Sequence, residues 1–512
     1  MSTQHYDLII IGTGAGGGTL AYRLASSGKR ILVLERGQFL PQEKANWSAV
    51  EVFQKNRYAT SELWEDHQGK TFSPGTHYWV GGNTKVYGGA LFRLRERDFE
   101  AVQHCDGVSP AWPLQYADFK PYYDQAEQLY QVHGQRGLDP TEPSEAADYP
   151  FPPVSHEPRI QGIYDALKAK QLNPFYLPLA VKLNEANSLL SACIRCNTCD
   201  GFPCLIHAKS DADINCVRPA QTQANLTLLT EAKVTQLVTS DSGREITQVK
   251  AEVQGSPETF SADIVVVACG AINSAALLLR SANDAHPNGL ANRSDQVGRN
   301  FMKHQNGAIV GITLKSNPSI FQKTIGLNDF YWGEPGFDYP MGHIQLLGKV
   351  NGEMLAMDVP RFIPKRILDA MAGRSVDWWI TAEDLPESRN RVRLKGDRIV
   401  LDYTDNNVEA FDRLRSRWIS VLRKINGEGR VPQSVYFSKR LPVQGVAHQV
   451  GTCRFGTDPD SSVLDLNCRT HDVDNLYVVD GSFFPSSAAV NPSLTIMANA
   501  LRVGDHLLQR LG

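Results

Sequence analysis

The sequence has no excess charge of either sign and no long apolar run. Its 512 residues contain 52 Lys and Arg against 55 Asp and Glu, which gives a formal net charge of −3 at pH 7. Such a balance provides no net attraction to nucleic acid or anionic lipid, so we predict no nucleic-acid binding. The most apolar stretches, residues 8–11 and 264–272, are far shorter than the roughly 20 residues of a membrane-spanning helix. We therefore predict no transmembrane segment.

Cysteines are few, and the N-terminus shows no targeting pattern. The nine cysteines in this length exclude a small disulfide-stapled module. The chain enters an apolar run at once, without a basic region before it, so we predict no signal peptide and a cytoplasmic protein. The composition, 42% hydrophobic and 21% charged, is that of a globular protein with a large core. The length predicts about two to four domains, or two large lobes with interleaved chain.

The N-terminal segment has the pattern of a strand, a glycine-rich turn, a helix and a second strand. An apolar run at residues 6–11 is followed by three spaced glycines, and the next apolar run ends at Glu35. The glycines are Gly12, Gly14 and Gly17. One permits a tight turn, one lets the backbone approach a pyrophosphate, and one brings the helix close to the strand. Glu35 is placed to accept hydrogen bonds from ribose hydroxyls, which predicts a dinucleotide site. Glu35 disfavours NADP, although the neighbouring Arg36 keeps that cofactor open.

The pattern of apolar and polar residues changes twice in the middle of the chain. Residues 264–267 form an apolar run followed by a helical pattern, which predicts a return to the first sheet. Residues 305–440 contain short alternating stretches, which indicate an antiparallel sheet. Within this region we predict strands at 354–359 and 391–394 and helices at 364–372 and 408–425.

The C-terminal segment indicates which dinucleotide is bound. Residues 470–481 present a threonine, a polar step, four apolar residues and then Asp480 and Gly481. This is the form in which flavoproteins place an acidic strand end beside the ribityl and pyrophosphate part of FAD. The segment therefore favours FAD.

Several segments spread over almost the whole length carry a family resemblance. They are residues 12–35, 80–89 (VGGNTKVYGG), 268–274 (ACGAINS), 297–304 (VGRNFMKH), 448–456 (HQVGTCRFG), 479–482 (VDGS) and 491–496 (NPSLTI). With these segments in this order, the chain closely resembles the glucose-methanol-choline (GMC) oxidoreductase family of FAD enzymes. The resemblance implies an α/β fold, in which a Rossmann-like FAD-binding domain built from discontinuous segments supports a substrate domain on a large, mostly antiparallel sheet (α+β).

The same resemblance implies where the domains begin and end. The FAD-binding domain would comprise residues 1–104, 226–305 and 445–512, the last part carrying the catalytic pair. Residues 105–225 would form a cap or substrate-side segment with a cysteine cluster, and residues 306–444 the substrate-binding domain.

The resemblance also implies the site residues. His448 corresponds to the catalytic histidine and Asn491 to its partner. A neutral imidazole near its ordinary pKa of about 6.5 is suited to accept a hydroxyl proton while a hydride moves to flavin N5. The Asn491 amide is suited to donate to the developing alkoxide. The other cofactor-binding residues implied are Gly82, Asn83, Thr84, Val234, Asp480, Gly481 and Pro492, with the backbone amides of Asn83 and Thr84 near the polar edge of the flavin.

Two departures from the family pattern affect the cofactor. Some relatives attach FAD through a histidine in the loop matching residues 80–89, but Val86 stands at that position, so we predict FAD that is bound non-covalently. His77 lies just outside this loop, and we interpret it as a loop histidine. His304 follows Lys303 where the family usually has an acid, and we interpret His304 as structural and near the flavin.

Two further clusters attract attention. Arginines and glutamates alternate at Arg93, Arg95, Glu96, Arg97 and Glu100, and we interpret this run as a solvated face. Four cysteines have the spacing Cys-x2-Cys-x2-Cys-x4-Cys at Cys193, Cys196, Cys199 and Cys204. Thiolates at this spacing suit an iron-sulfur cluster or zinc. One or two disulfides, or reduced structural thiols, are the alternatives left open.

Together these observations predict an FAD-dependent oxidoreductase that oxidises a CH–OH group of an alcohol, with a sugar or polyol preferred as substrate by analogy. The oxidant that regenerates the flavin, whether oxygen, a quinone or a redox protein, is left open. The rivals are an FAD lyase or light-driven decarboxylase of the same fold, and a flavin and iron-sulfur electron-transfer subunit. A nicotinamide dehydrogenase is a weaker rival, since the sequence has no second glycine fingerprint of comparable quality.

Overall fold

The protein is described by a computed structural model over residues 4–360, 362–427, 433–445 and 447–512. Its strands are β1 (Gln4–Ile11), β2 (Ile31–Leu34), β3 (Trp64–Asp66), β4 (Thr71–Phe72), β5 (Val102–His104), β6 (Gly107–Ser109), β7 (Val132–His133), β8 (Phe175–Tyr176), β9 (Leu179–Ala180), β10 (Leu226–Leu229), β11 (Ala232–Thr239), β12 (Ile246–Val253), β13 (Ser256–Val267), β14 (Gln305–Thr313), β15 (Ile325–Leu327), β16 (His343–Leu346), β17 (Ser375–Ala382), β18 (Arg391–Lys395), β19 (Arg398–Asp402), β20 (Ser434–Arg440) and β21 (Leu476–Val478). Its α-helices are α1 (Ala15–Leu24), α2 (Tyr116–Leu129), α3 (Pro158–Lys168), α4 (Arg218–Ala220), α5 (Ala271–Arg280), α6 (Gly352–Leu355), α7 (Lys365–Ala372), α8 (Val408–Ile425) and α9 (Ser493–Leu511).

The first large sheet has seven strands in the order β10-β2-β1-β13-β12-β11, with β21 also paired to β13. Strands β10, β2, β1, β13 and β21 run parallel, whereas β11, β12 and β13 pair antiparallel. The central strands are apolar at consecutive positions; Ile9, Val265 and Val266 have no exposed surface. Consecutive apolar residues are typical of a strand that is covered on both faces, because the side chains on both faces must then be apolar. This sheet holds the turns that follow β1 and β13.

The second large sheet is antiparallel and has six strands in the order β20-β14-β17-β16-β15-β8. Alternation places Ile344 and Trp378 on the face covered by α8, where the Trp378 and Trp418 ring centroids are 4.7 Å apart. The opposite face carries Gln345 and Trp379, which stand directly across from each other on β16 and β17. One face of this sheet therefore forms a core, and the other presents polar and aromatic groups.

The predicted fold class is confirmed, and most of the predicted elements in residues 305–440 are found. Helices α7 and α8 and strand β18 lie where the sequence pattern placed them. The strand predicted at 354–359 is wrong, because helix α6 extends to Leu355 and a turn follows it. Asn351 caps that helix, its Oδ1 accepting a hydrogen bond from Met354 N at 2.9 Å. The domain boundaries remain a prediction. Within the described ranges, no helix combines the length and apolar character needed to cross a bilayer.

The interpretation of the arginine run as a solvated face is wrong for two of its members. Arg93 and Arg95 are buried, at 1% and 3% exposure. Arg93 pairs with Glu127 at 2.6 Å, and Arg95 pairs with Asp139 at 2.8 Å. Both acids lie outside the run and far from it along the chain, so the local pattern did not reveal them. Their negative charges compensate the buried arginines.

Candidate active site

A cavity of about 740 Å³ lies between the two large sheets. The sequence-predicted residues that line it are Gly12, Gly14, Glu35, Arg36, Gly82, Asn83, Thr84, Val234, His448, Asp480, Gly481, Asn491 and Pro492. Lining residues from the second sheet include Asn306, Gln345 and Trp379. Gly17 is absent from this lining. The structure thus brings residues from all parts of the chain to one space.

The glycines after β1 have distinct positions. Gly12 has φ +101°, and a Cβ there would stand 2.4 Å from the carbonyl oxygen of Ala268. A Cβ on Gly17 would stand 2.1 Å from the oxygen of Gly12, so this residue packs the first turn of α1 onto the loop. Gly14 has no heavy atom within 4 Å of where its Cβ would be, which leaves it open to the cavity. Gly16 also needs glycine, since its Cβ would approach Val479 O to 1.9 Å, and sequence reasoning missed it.

Glu35 ends the second strand, as the pattern predicted, and the protein itself binds both of its oxygens. Thr13 N donates to Oε2 at 3.0 Å, and Gly37 N donates to Oε1 at 2.9 Å. Burial raises the pKa of Glu35, and these hydrogen bonds oppose that rise. Arg36 is held beside it by stacking on Tyr78, 3.6 Å from the ring centroid. The carboxylate is therefore fixed in direction at the cavity wall, where a ribose could reach its remaining lone pairs.

Asp480 ties together the strand ends that border the cavity. Its Oδ2 accepts from Gly270 N at 2.9 Å and from the Ser274 hydroxyl, and its Oδ1 accepts from Ser482 N at 2.8 Å. Burial raises the pKa of this carboxyl. The next residue is Gly481, where a Cβ would stand 2.6 Å from Gln449 O, so a side chain would clash with the backbone. Asp480 thus joins β21 to the start of α5 while facing the cavity.

The loop of residues 80–89 crosses the cavity opposite the first glycine turn. Gly82 has φ +54°, and its Cβ would stand 3.1 Å from the Cα of Gly14. Asn83 Oδ1 accepts from His77 N at 2.8 Å, which anchors the loop. The Thr84 amide donates to Gly81 O at 3.3 Å inside a tight turn, so it is partly used by the protein itself.

These features fit a dinucleotide cofactor. Two glycine turns approach each other with side-chain-free backbone, and Gly14 stands open at the start of α1, where helix amides favour a pyrophosphate. His77 Nδ1 is a buried polar atom without a partner among the described residues, and His77 lines the same cavity. Gly14, Gly82, Glu35 and His77 would therefore face FAD.

The candidate base His448 contacts a second histidine. His448 Nδ1 and His304 Nδ1 are 3.0 Å apart, and His304 Nε2 lies 2.9 Å from the carbonyl oxygen of Ser487. Since a carbonyl only accepts, His304 Nε2 carries the hydrogen, and in the neutral ring Nδ1 is bare. His448 Nδ1 must then donate to it. This leaves His448 Nε2 as a free lone pair, which is the arrangement that a base requires.

Burial keeps both rings neutral. Burial, with a smaller contribution from His304, lowers the pKa of His448 to about 3. Burial likewise lowers the pKa of His304 to about 4. Asn491, just before α9, lines the cavity with an amide that has no hydrogen-bond partner within the described chain. The site therefore offers a neutral proton acceptor and a free amide.

The structure changes the reading of His304. Its interpretation as structural is incomplete, because His304 sets the tautomer of His448. The backbone that supports it is unusual: Ala488, next to Ser487, has φ +52°, and its amide donates to Glu383 at 3.2 Å. The motif VGRNFMKH contained His304, but no sequence signal paired it with a residue 144 positions away.

Of the three alternatives left open for the cysteine cluster, the structure does not support an iron-sulfur or zinc site. The four residues concerned, Cys193, Cys196, Cys199 and Cys204, are all free. Among the residues that the structure describes, no group of three or more His, Cys, Asp or Glu side chains is placed to hold a metal ion. Instead, the Lys209 ammonium donates to Cys199 O at 2.7 Å and Phe202 O at 2.8 Å. Burial raises the pKa of Cys193 to about 12, away from the thiolate that a metal needs.

Comparison with known proteins gives consistent results. Family models described as GMC oxidoreductase match residues 177–306 and 386–500, and one described as an NAD(P)-binding Rossmann-like domain matches residues 10–40. The 6'''-hydroxyparomomycin C oxidase of Streptomyces lividus is 31% identical, over 99% of this chain and 92% of its own length. Paromamine 6'-oxidase of Streptomyces fradiae is 30% identical, over 97% and 90%.

Solved structures share the fold at lower identity. Pyridoxine 4-oxidase from Mesorbium loti has a TM-score of 0.67 at 19% identity and covers 98% of both chains. Formate oxidase from Aspergillus oryzae RIB40 has a TM-score of 0.70 at 15% identity, over 100% of this chain and 99% of its own. The match at 31% identity over 99% of this chain, together with the two GMC family models, shows the family. The chain belongs to the GMC oxidoreductase family and is an FAD-dependent oxidoreductase acting on CH–OH groups.

Proposed function

We propose that this chain oxidises the CH–OH group of a sugar or polyol, with His448 as the base that accepts the hydroxyl proton. The observation that carries the proposal is the 3.0 Å contact between His448 Nδ1 and His304 Nδ1, beside the start of β14 at the cavity wall. It leaves His448 Nε2 bare and neutral. A positioned base of this kind contributes typically about 10²- to 10⁴-fold to a rate.

The chain's own residues would handle the proton and the oxygen. The substrate hydroxyl gives its proton to His448 Nε2, and the Asn491 amide donates a hydrogen bond to the oxygen as its negative charge develops. When bound, FAD supplies the acceptor at N5 for the hydride that leaves the same carbon. The carbon–oxygen bond becomes a carbonyl, and the imidazolium left on His448 is destabilised by its burial, which favours release of the proton.

The chemistry of the cavity wall supports a polyhydroxylated substrate. Asn306, Gln345 and Trp379 line the part formed by the second sheet. Asp200, an acid in the lining, is paired with Lys323 and Gly348 N, so its charge is already compensated. Two relatives are named as oxidases, one of them of a hydroxy compound, 6'''-hydroxyparomomycin C, which favours a hydroxyl group as the site of oxidation here.

Non-covalent attachment of FAD is part of the proposal. Val86 lines the cavity at the position where some relatives have a linking histidine, and residues 80–89 contain none. Precipitation of the protein with acid is expected to release all of the FAD into the supernatant. Yellow colour remaining in the pellet would contradict this point, and His77→Ala would then test His77 as the link.

The oxidant and the location complete the proposal. Oxygen, a quinone and a redox protein stay open as electron acceptors, and stopped-flow mixing of the reduced protein with oxygen or a soluble quinone would rank the first two. We also propose a cytoplasmic location, which the nine free thiols favour because a reducing compartment keeps cysteines unpaired. Cell fractionation tests it.

An anaerobic screen of the flavin absorbance tests the function directly. Sugars, polyols and primary alcohols are mixed with the purified protein without oxygen, and bleaching of the flavin band is expected with at least one polyol. Product formed from a substrate without bleaching would favour a lyase, and reaction of a fatty acid only under light would favour a decarboxylase. Bleaching only in the presence of a partner protein would favour an electron-transfer subunit.

A further inference from the structure

A chain of buried hydrogen bonds runs along the face of the second sheet that carries Gln345 and ends at the cavity wall. Its members are Arg95, Asp139, Asn328, His343 and Gln345. Arg95 Nη2 is 2.8 Å from Asp139 Oδ2, which is 2.7 Å from Asn328 Nδ2. Asn328 Oδ1 is 2.7 Å from His343 Nδ1, and His343 Nε2 is 3.1 Å from the Gln345 side-chain amide. Every member is less than a tenth exposed, so bulk water does not compete for these groups.

The charged pair at one end fixes the direction of each hydrogen bond. The Asp139 carboxylate, bound by Arg95, can only accept, so Asn328 turns its NH₂ toward Asp139 and its oxygen toward His343. That oxygen also only accepts, and His343 Nδ1 must therefore carry the hydrogen. Burial lowers the pKa of His343 to about 4, so the ring is neutral at pH 7 and its Nε2 has a bare lone pair.

A bare lone pair on His343 requires a donor from Gln345. The oxygen and nitrogen of a glutamine amide exchange places by a half-turn, and the hydrogen-bond network decides between the two orientations. The atom 3.1 Å from His343 Nε2 is assigned as Gln345 Oε1, which would set acceptor against acceptor. The network therefore requires the two amide atoms to be exchanged, so that the NH₂ faces the imidazole. The Gln345 oxygen then points to the cavity, where it has no partner in the described chain. Leaving a buried acceptor of this kind without a hydrogen bond costs free energy, which a ligand that donates to it would recover.

We propose that Gln345 Oε1 is a specificity-determining acceptor for an O–H or N–H group of the substrate other than the hydroxyl being oxidised. This rests on the proposed function, and it names the substrate chemistry of the same cavity. Trp379 stands directly across from Gln345 on the neighbouring strand and offers an apolar surface beside the acceptor. A hydroxyl of a polyol and an ammonium of an amino sugar both supply the donor, whereas a simple alkanol does not.

The test uses anaerobic flavin reduction of the FAD-loaded protein by D-sorbitol, D-glucosamine and 1-hexanol. Gln345→Met removes the acceptor at nearly constant volume. We expect it to raise the apparent dissociation constant for D-sorbitol or D-glucosamine about tenfold or more, with the limiting reduction rate kept within about threefold. The parameters for 1-hexanol should not change. If the dissociation constant rises more for D-sorbitol, the donor is a hydroxyl. If it rises more for D-glucosamine, the donor is the ammonium.

Gln345→Glu tests the orientation of the amide. A carboxyl group at this position presents an oxygen to the cavity whether His343 takes its proton or accepts a hydrogen bond from it. We therefore expect Gln345→Glu to keep D-sorbitol or D-glucosamine binding within about threefold of wild type. If Glu harms binding as much as Met does, the amide faces the cavity with its NH₂, and the proposal is overturned.

Trp379→Phe is the matched control at the same wall. It alters packing without removing a hydrogen-bond acceptor, so it should change the parameters for D-sorbitol and 1-hexanol by similar factors. Unchanged D-sorbitol and D-glucosamine binding in Gln345→Met would overturn the inference while the proposed function stands. If none of the three compounds reduces the wild-type flavin, the proposed function itself fails. Flavin content and melting temperature, measured for each variant, separate these outcomes from misfolding.

Discussion

The two halves of the cavity are built in different ways. The half formed by the first sheet is made of backbone: two glycine turns meet where Gly82 approaches Gly14, and a fixed carboxylate closes the wall. The half formed by the second sheet is made of side chains, whose protonation states depend on partners many residues away. Backbone recognition is sensitive to added volume, whereas side-chain chemistry is sensitive to which nitrogen carries a hydrogen. The following predictions break or sharpen this contrast.

The largest effect is expected for the base. His448→Ala should retain FAD yet slow anaerobic reduction by the best substrate at least about a hundredfold, because it removes the imidazole proposed to accept the hydroxyl proton. Stopped-flow absorbance of the flavin measures the rate. Gln444→Ala, another substitution in the cavity lining, is a control and should have a much smaller effect. An unchanged rate in His448→Ala would remove this residue from its proposed role.

Acid should weaken the fold through the same histidine. The pKa of His448 is lowered to about 3 in the folded state, so the unfolded state takes up the proton first. The contribution of His448 to the free energy of unfolding is therefore fully present above the unfolded pKa of about 6.5. It is lost as the pH falls toward 3. For one such group the loss is about 2 kcal/mol at pH 5. Urea unfolding of the apoprotein at pH 7 and pH 5 measures it.

His448→Asn should reduce that difference between pH 7 and pH 5, since the group that titrates is gone. His67→Asn changes an exposed histidine and should leave the difference as in wild type. Equal differences in wild type and His448→Asn would show that this ring is not held neutral by the fold.

A smaller effect is expected for the residue behind the base. His304→Leu removes the acceptor for His448 Nδ1–H, so both tautomers of His448 become populated and reduction should slow about tenfold. His304→Gln keeps an oxygen acceptor and should recover part of the rate. If Gln performs no better than Leu at equal flavin content, His304 acts by packing and not by fixing the tautomer.

The smallest effect is expected at the backbone half. Gly14→Ala places a methyl group where the protein leaves open space, so the apoprotein should keep its stability while FAD binds about fivefold more weakly. Fluorescence of released FAD measures the dissociation constant. Gly162→Ala, in helix α3 with no atom near its Cβ, should not alter FAD binding. Equal affinities in both variants would place the cofactor away from Gly14.

The sequence could indicate the backbone half because its residues lie close together along the chain. Three glycines and a glutamate at the ends of β1 and β2 carry a local geometric requirement, and each stands where the pattern predicted. The side-chain half was only partly predictable. On β16, Gln345 stands between the buried residues Ile344 and Leu346, and this alternation indicates a polar side chain on the opposite face of the strand. The role of its partner His343 depends on hydrogen bonds that link it through Asn328 to Asp139, and these were not predictable.

The arginine run and the cysteine cluster show how a local pattern can mislead. The arginine run looked solvated because Glu127 and Asp139, its buried partners, lie tens of residues away. The cysteine spacing suited a metal, but Lys209 satisfies the carbonyls of that loop and the thiols are free. In the first case the deciding partners are distant along the chain, whereas in the second the Lys209 ammonium lies within ten residues of the carbonyls it binds.

The sequence by itself determined the strand, turn and helix that receive a dinucleotide, since the apolar run, the spaced glycines and the helical pattern follow one another within a short stretch of chain. It also determined the family, through motifs spread over the chain. Only the tertiary structure decided which nitrogen of His448 is free and which hydrogen-bond partners the Gln345 amide meets. Those choices depend on acceptors and charges brought together from distant strands, and a hydrogen bond is specified by distance in space and not along the chain.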